Sequence, residues 1–255
     1  MTVPYAIYAD WPVPDTIVAF TTCRMGSGSS QFPYEQFNLA NHVGDVAETV
    51  TANRKALIQC CDGLETIQWL EQVHGTRIVT AGEQLCPAAD GSISSESGIA
   101  CAVMTADCLP LVLCDQQGRQ IAAVHAGWRG LADGVIEAAV AKFHSPADNL
   151  MVWMGPAISQ QNYEVGEEVR QQFIDAATPT EKKRTSLAFT RHLSKKNHFL
   201  VDLYQLARIR LGALSVSKIY GGGLCTYADP QRFYSYRRDG VTGRMVTMIY
   251  KKNVD

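Results

Sequence analysis

Apolar and polar positions along the chain fall into two alternating patterns. Residues 17–23, 67–73, 77–81, 99–104, 109–114, 121–124, 150–154, 216–220 and 244–250 form short apolar runs of strand length. Helical spacing instead links Val50, Leu57, Ile58 and Cys61. It links Leu131, Val135, Ile136, Ala139, Val140 and Phe143 in a second stretch, and Val165, Val169, Phe173 and Ile174 in a third. Asp45, with Glu48 three residues on, reads as a capping box for the first of these helices. Asp202 reads as the cap of a last helix running to about Leu214. Residues 82–98 read as a polar loop, 177–196 as a surface excursion and 233–238 as an edge segment. No fixed-period repeat and no linker divides the chain, so residues 1–255 are expected to form one domain. The order of elements is too irregular for a doubly wound sheet. It predicts an α+β fold with mixed sheets and helices outside them.

The pattern is densest over residues 105–130, TADCLPLVLCDQQGRQIAAVHAGWRG. Two apolar strands flank Asp115-Gln116-Gln117-Gly118, whose Asp and Gly suit a type I turn. A hairpin closed across Gln116 and Gln117 sets Cys108 opposite His125, with Cβ atoms about 4.5–5.5 Å apart. A bulge at Gly118 would shift the register and change the facing sides. After His125, Ala-Gly-Trp-Arg-Gly leads into the second helix. Its start offers backbone N–H groups to an anion, beside Arg129.

Composition narrows the function. At 255 residues and 46% hydrophobic content the chain can build a sizeable core. A formal net charge of −2 gives no electrostatic case for nucleic acid or an anionic membrane surface. No apolar run is long enough to span a bilayer, and the first residues carry no leader pattern. Eight Cys in irregular positions fit a reducing, cytoplasmic setting with thiols free, buried or metal-bound.

His74 repeats the local context of His125, a strand end followed closely by glycine. His74, Cys108 and His125 together form a two-His, one-Cys set with a fourth position open, the pattern of catalytic zinc. The plainer reading is one buried Cys and two satisfied His. Asp107 either orients an imidazole or caps its turn. Gln72, Asn38, Arg54 and Arg129 are candidate substrate contacts, as are Arg237 and Arg238, and each is also compatible with a surface role. Gly221–Gly223 lacks the residues of a phosphate loop and reads as a tight turn. His42, His144, His192 and His198 have no partner at ligand spacing.

Six segments jointly resemble the YfiH family: QVHGTRIV (72–79), TADCLPLVLCD (105–115), AAVHAGWRG (122–130), MGPAIS (154–159), YEVGEEV (163–169) and CTYADPQRFYSYRRDGVTGRM (225–245). Its members are called laccase-domain proteins, polyphenol oxidoreductases or purine nucleoside phosphorylases. The resemblance runs from Phe20 to Tyr250 and departs where Cys23 precedes Arg24. It implies an α/β/β/α layered domain akin to cysteine hydrolases. It also implies zinc, or alternatively copper, on His74, Cys108 and His125. The implied activity is phosphorolysis of adenosine, inosine, guanosine and methylthioadenosine, with adenosine deamination. The implied partners are purine nucleosides and phosphate, and the expected state is a monomer. A Cys–His amidase editing peptidoglycan precursors, with Cys108 as nucleophile and His125 as base, is the alternative. A copper oxidase acting on phenols is a third reading, weakened because none of the six His forms a His-x-His pair.

Overall fold

A computed structural model describes residue 3 and residues 5–253. In chain order the strands are β1 (Ala6–Tyr8), β2 (Ile17–Thr22), β3 (Thr66–Gln68), β4 (Ile78–Thr80), β5 (Gly91–Ser94), β6 (Ile99–Thr105), β7 (Leu109–Asp115), β8 (Ile121–Ala126), β9 (Leu150–Met154), β10 (Glu164–Gly166), β11 (Phe189–Arg191), β12 (His198–Val201), β13 (Lys218–Gly221) and β14 (Met245–Lys251). The helices are α1 (Ala47–Gln59), α2 (Trp128–Asp133), α3 (Val135–Val140), α4 (Glu167–Ala176), α5 (Lys182–Leu187), α6 (Leu203–Ala213) and α7 (Tyr236–Asp239). They assemble around two mixed sheets, in the orders β1-β2-β14-β6-β3 and β13-β9-β7-β8-β5-β4. A small third sheet has the order β10-β12-β11.

The continuous apolar runs are explained by burial on both faces. In β7, Leu109, Leu111 and Leu113 face the helices α2, α3 and α6, while Val112 and Cys114 face the other sheet. In β6, Cys101 and Val103 face the sheet interface, while Ala100, Ala102 and Met104 pack on the α1 side. The layers therefore run helix, sheet, sheet, helix. Fully burying each such leucine contributes about 1.5–3 kcal/mol. Among the described residues, no helix is long and apolar enough to cross a membrane.

Several local expectations are revised. The β7–β8 hairpin closes through four residues, with the Asp115 amide donating to Gln120 O at 3.2 Å. Asp115 favours this loop by accepting from Arg119 N at 2.7 Å and Ser145 Oγ at 2.8 Å. Pro110 now pairs with His125. The register has moved by two residues rather than one, so the facing sides are kept. Cys108 lies diagonal to His125 instead of directly opposite.

The helix expected over residues 131–143 starts earlier, at Trp128, and breaks at Gly134, whose φ of 98° ends α2. Asp45 does not cap α1. Val46 takes the cap position, and Asp45 instead accepts from Ser30 Oγ and Asn38 Nδ2. Within the expected 82–98 loop lies β5, stabilised by pairing with β4 and β8. The excursion at 177–196 contains α5 and β11, and Val165 belongs to β10 rather than to the third helix. Residues 236–239 form α7, capped by the Ser235 hydroxyl. Asp202 does cap α6, accepting from Gln205 N at 2.9 Å.

Candidate active site

Three segments meet at one end of the interface between the two large sheets. His74 sits in the connection between β3 and β4, Cys108 in the turn between β6 and β7, and His125 near the end of β8. Their ligand atoms all lie within 4.8 Å of one another. Cys108 Sγ is 3.9 Å from His74 Nε2, and the two imidazole rings meet edge to face with centroids 4.7 Å apart. His74 has φ of 60° and Asp107 has φ of 102°, so two non-glycine residues hold uncommon backbone conformations here. At Asp107 the side chain secures that turn: its carboxylate accepts from Thr226 Oγ1 at 2.6 Å and Arg237 N at 2.7 Å. Asp107 therefore anchors the Cys108 turn and does not touch an imidazole.

Asp90 is the residue sequence reasoning missed. It is fully buried and precedes β5, alongside His125. One carboxylate oxygen lies 2.8 Å from His125 Nδ1 and 2.9 Å from His74 N. The other accepts from Gly75 N at 2.7 Å and Val73 N at 3.3 Å. A single carboxylate thus holds both histidines, one by its ring and one by its backbone. With Nδ1–H donated to Asp90, His125 turns Nε2 toward Cys108.

The electrostatics follow from this packing. Burial pushes the Cys108 thiol up, but the imidazoles of His125 and His74 outweigh it and bring the thiol down to about 6. Burial likewise lowers His125, and the Cys108 thiolate and Asp90 reverse that, raising it to about 9. The thiolate and two oriented imidazoles form a donor set suited to zinc, whose bonds to N and S are about 2.0–2.1 and 2.3 Å. A carboxylate behind one histidine is the usual outer support of such a site. A tetrahedral ion held by these three donors would have one position left open. Gly127 makes the cluster sterically feasible, because a Cβ there would lie 2.7 Å from His74 Cδ2 and 3.3 Å from Cys108 Sγ.

A cavity of about 380 Å³ opens over the cluster. Gln72 lines it, but its amide is spent on Met104, donating to O at 2.8 Å and accepting from N at 2.7 Å. Asn38 is buried away from the cavity and accepts from Arg244 N at 3.0 Å. Arg54 stacks on Trp69 at 3.7 Å and donates to Leu39 O. Arg129 is exposed over the Trp128 ring, and Arg238 bonds Thr226 O and Tyr227 O. Arg24 donates to Glu35 O and Pro230 O. The cavity wall instead includes His42, Tyr236 and Arg244. His42 lies outside every quoted segment, and Tyr236 and Arg244 lie within 225–245 without a local sign of their role; the tie of all three to the site is tertiary.

The model of a family described as multi-copper polyphenol oxidoreductase laccase matches residues 18–252. A purine nucleoside phosphorylase of Pseudomonas aeruginosa is 44% identical over 241 residues, covering 94% of this chain and 96% of that protein. The purine nucleoside phosphorylase YfiH of Escherichia coli is 43% identical over 248 residues, covering 96% and 98%. The crystal structure of a Neisseria meningitidis protein superposes with a TM-score of 0.91 at 42% identity, covering 98% of this chain and 100% of that one.

Proposed function

The chain belongs to the multi-copper polyphenol oxidoreductase laccase family, and we propose that it is a purine nucleoside phosphorylase working with zinc on His74, Cys108 and His125, copper being the alternative metal. The observation that carries this reading is the convergence of one thiol and two imidazoles in a cavity of about 380 Å³. That size lies within the roughly 300–1,000 Å³ of small-molecule sites. Zinc in such a setting supplies a Lewis acid with one position left for substrate.

The protein's own groups have definable tasks. Asp90 keeps the imidazole of His125 in one orientation through Nδ1. Two imidazoles facing Cys108 favour its thiolate form. In phosphorolysis a phosphate oxygen bonds to C1′ of the ribose while the C1′–N bond breaks and its electron pair leaves with the purine. That reaction needs a wall that binds an anion. The residues lining this cavity include the cationic Arg244 and no carboxylate. Adenosine, inosine, guanosine and methylthioadenosine share the purine N-glycoside and are the proposed substrates. Adenosine deamination, with water attacking C6, is proposed as a second activity.

A Cys–His hydrolase is the second reading, favoured by the drop of Cys108 to about 6 and the rise of His125 to about 9. A nucleophilic thiolate beside its imidazolium needs no metal. Inosine separates the two, since an amidase leaves its N-glycosidic bond intact. Incubation with inosine and phosphate should yield hypoxanthine and ribose 1-phosphate, and none without phosphate. Free ribose at equal rates with or without phosphate would contradict the phosphorylase reading.

A further inference from the structure

We propose that Arg244, with His42 and Thr105 beside it, forms the phosphate subsite of this cavity, and that Arg129 at the start of α2 does not. The inference rests on the phosphorylase reading and assigns its anion to a place in the fold. Arg244 lines the cavity that contains Cys108 and His125. Its Nη1 donates to Thr242 O at 2.8 Å and Gly243 O at 3.0 Å. Among the described residues, its Nε and Nη2 find no acceptor and no carboxylate pairs with it. A half-buried guanidinium without a counter-charge is unfavourable, and a tetrahedral anion would supply both charge and acceptors.

The side chain is also held in place. Arg244 N donates to Oδ1 of the buried Asn38, which in turn donates to Asp45 Oδ2 at 2.9 Å and Ala40 O at 3.1 Å. Asn38 is thus a positioning residue for the subsite. Thr105 ends β6, is 2% exposed and lines the same cavity. Its hydroxyl has no partner among the described residues, an orphan that a bound oxyanion could satisfy with modest adjustment. His42 stands on the wall and is held below the usual histidine range by burial and by the charges of Arg244 and Arg54. That local positive field favours an anion.

The other guanidinium groups are engaged elsewhere. Arg24 pairs with Glu35, Arg54 lies on Trp69, and Arg237 donates to Glu164 O at 2.8 Å. Arg129 lies 4.5 Å from the Trp128 ring centroid and does not line the cavity. The six-residue α2 is too short for its dipole to decide the matter.

The test is steady-state phosphorolysis of inosine over a range of inorganic phosphate, beside direct titration of phosphate into nucleoside-free protein. Arg244→Gln should raise the KM for phosphate roughly tenfold or more, the loss expected for one charged hydrogen bond. The KM for inosine should stay within about twofold, the pattern of a lost contact to one substrate only. His42→Gln, on the cavity wall, should raise the same constant by a smaller factor. An unchanged phosphate KM in both variants, or a rise confined to Arg129→Ala, overturns the subsite. If wild-type protein cleaves inosine without needing phosphate, the phosphorylase reading fails on its own. The titration then still decides the subsite: phosphate binding weakened strongly in Arg244→Gln and less in His42→Gln supports it, and unchanged binding in both variants, or no binding to wild type, refutes it.

Discussion

Replacing Asp90 by alanine removes the carboxylate that holds both histidines. Four hydrogen bonds are lost, to His125 Nδ1, His74 N, Gly75 N and Val73 N. They do not weigh equally. Val73 and His74 are exposed and Gly75 is half-buried, so water can take over their N–H groups. His125 is only 3% exposed, and its ring N–H left without an acceptor costs about 1–3 kcal/mol. A loss of about 2 kcal/mol in folding stability is therefore expected. Outer-shell carboxylates of metal sites typically change metal affinity about 10–100-fold, equivalent to about 1.4–2.8 kcal/mol. Both routes reach the same range because the same hydrogen bond is removed.

The assay is urea unfolding of metal-free protein, beside zinc competition against a chromophoric chelator. The Asp90 carboxyl has a further signature. Burial would raise it, but its bonds from His125 and the Gly75 amide hold it below the usual carboxylate range. A depressed folded value means the contribution is complete above the unfolded pKa near ~4 and is lost as pH falls through the folded value. Asp90→Ala should remove that acid limb. Unchanged zinc affinity together with the full loss of stability would refute the reasoning, reducing Asp90 to a brace for the 73–75 turn.

Gly127→Ala places a methyl group 2.7 Å from His74 Cδ2, so zinc affinity should fall roughly tenfold or more; the same chelator competition checks it. Cys108→Ala should abolish nucleoside cleavage, with a thermal midpoint within a few degrees of wild type, since Cys108 is only half-buried in a turn; unfolding would show a structural role instead. Asp115→Asn should cost about 1–3 kcal/mol by weakening the hairpin loop. Although burial raises the Asp115 carboxyl, the Ser145 and Arg119 bonds hold it low, so this difference should shrink as pH falls through its folded value; urea midpoints measured from neutral to acid pH check it.

The central strands were legible because burial on both faces writes itself as an uninterrupted apolar run. Residues 150–154 match β9 in full, and 109–114 match β7 to within one residue. Cys108 and His125 were legible because each lies at or beside a strand end; the strand expected over 67–73 stops at Gln68, so His74 sits in the β3–β4 connection and only Gly75 after it was a true local signal. Asp90 was not legible, since Asp-Gly in a polar stretch reads as a turn. Gly91 is there for a different reason: a Cβ would lie 2.6 Å from Ile78 Cδ1 and 2.9 Å from Ala123 O, where β5 packs between β4 and β8. The partners of Asp90 are 15 to 35 residues away, beyond any local pattern. His42 was hidden for the same reason, and Arg244, though inside the quoted 225–245 segment, had no local sign of its place on the cavity wall. Gly134 split a helical run whose apolar period continues across it, because period alone does not register one left-handed residue.

The central claim is that His74, Cys108 and His125 hold the metal on which phosphorolysis depends. Its most direct measurement is phosphate-dependent inosine cleavage by protein of known metal content, before and after chelation and again after zinc is restored. The account predicts one zinc per chain, loss of cleavage on removal and recovery on return. Full phosphorolysis by zinc-free, copper-free protein would contradict it.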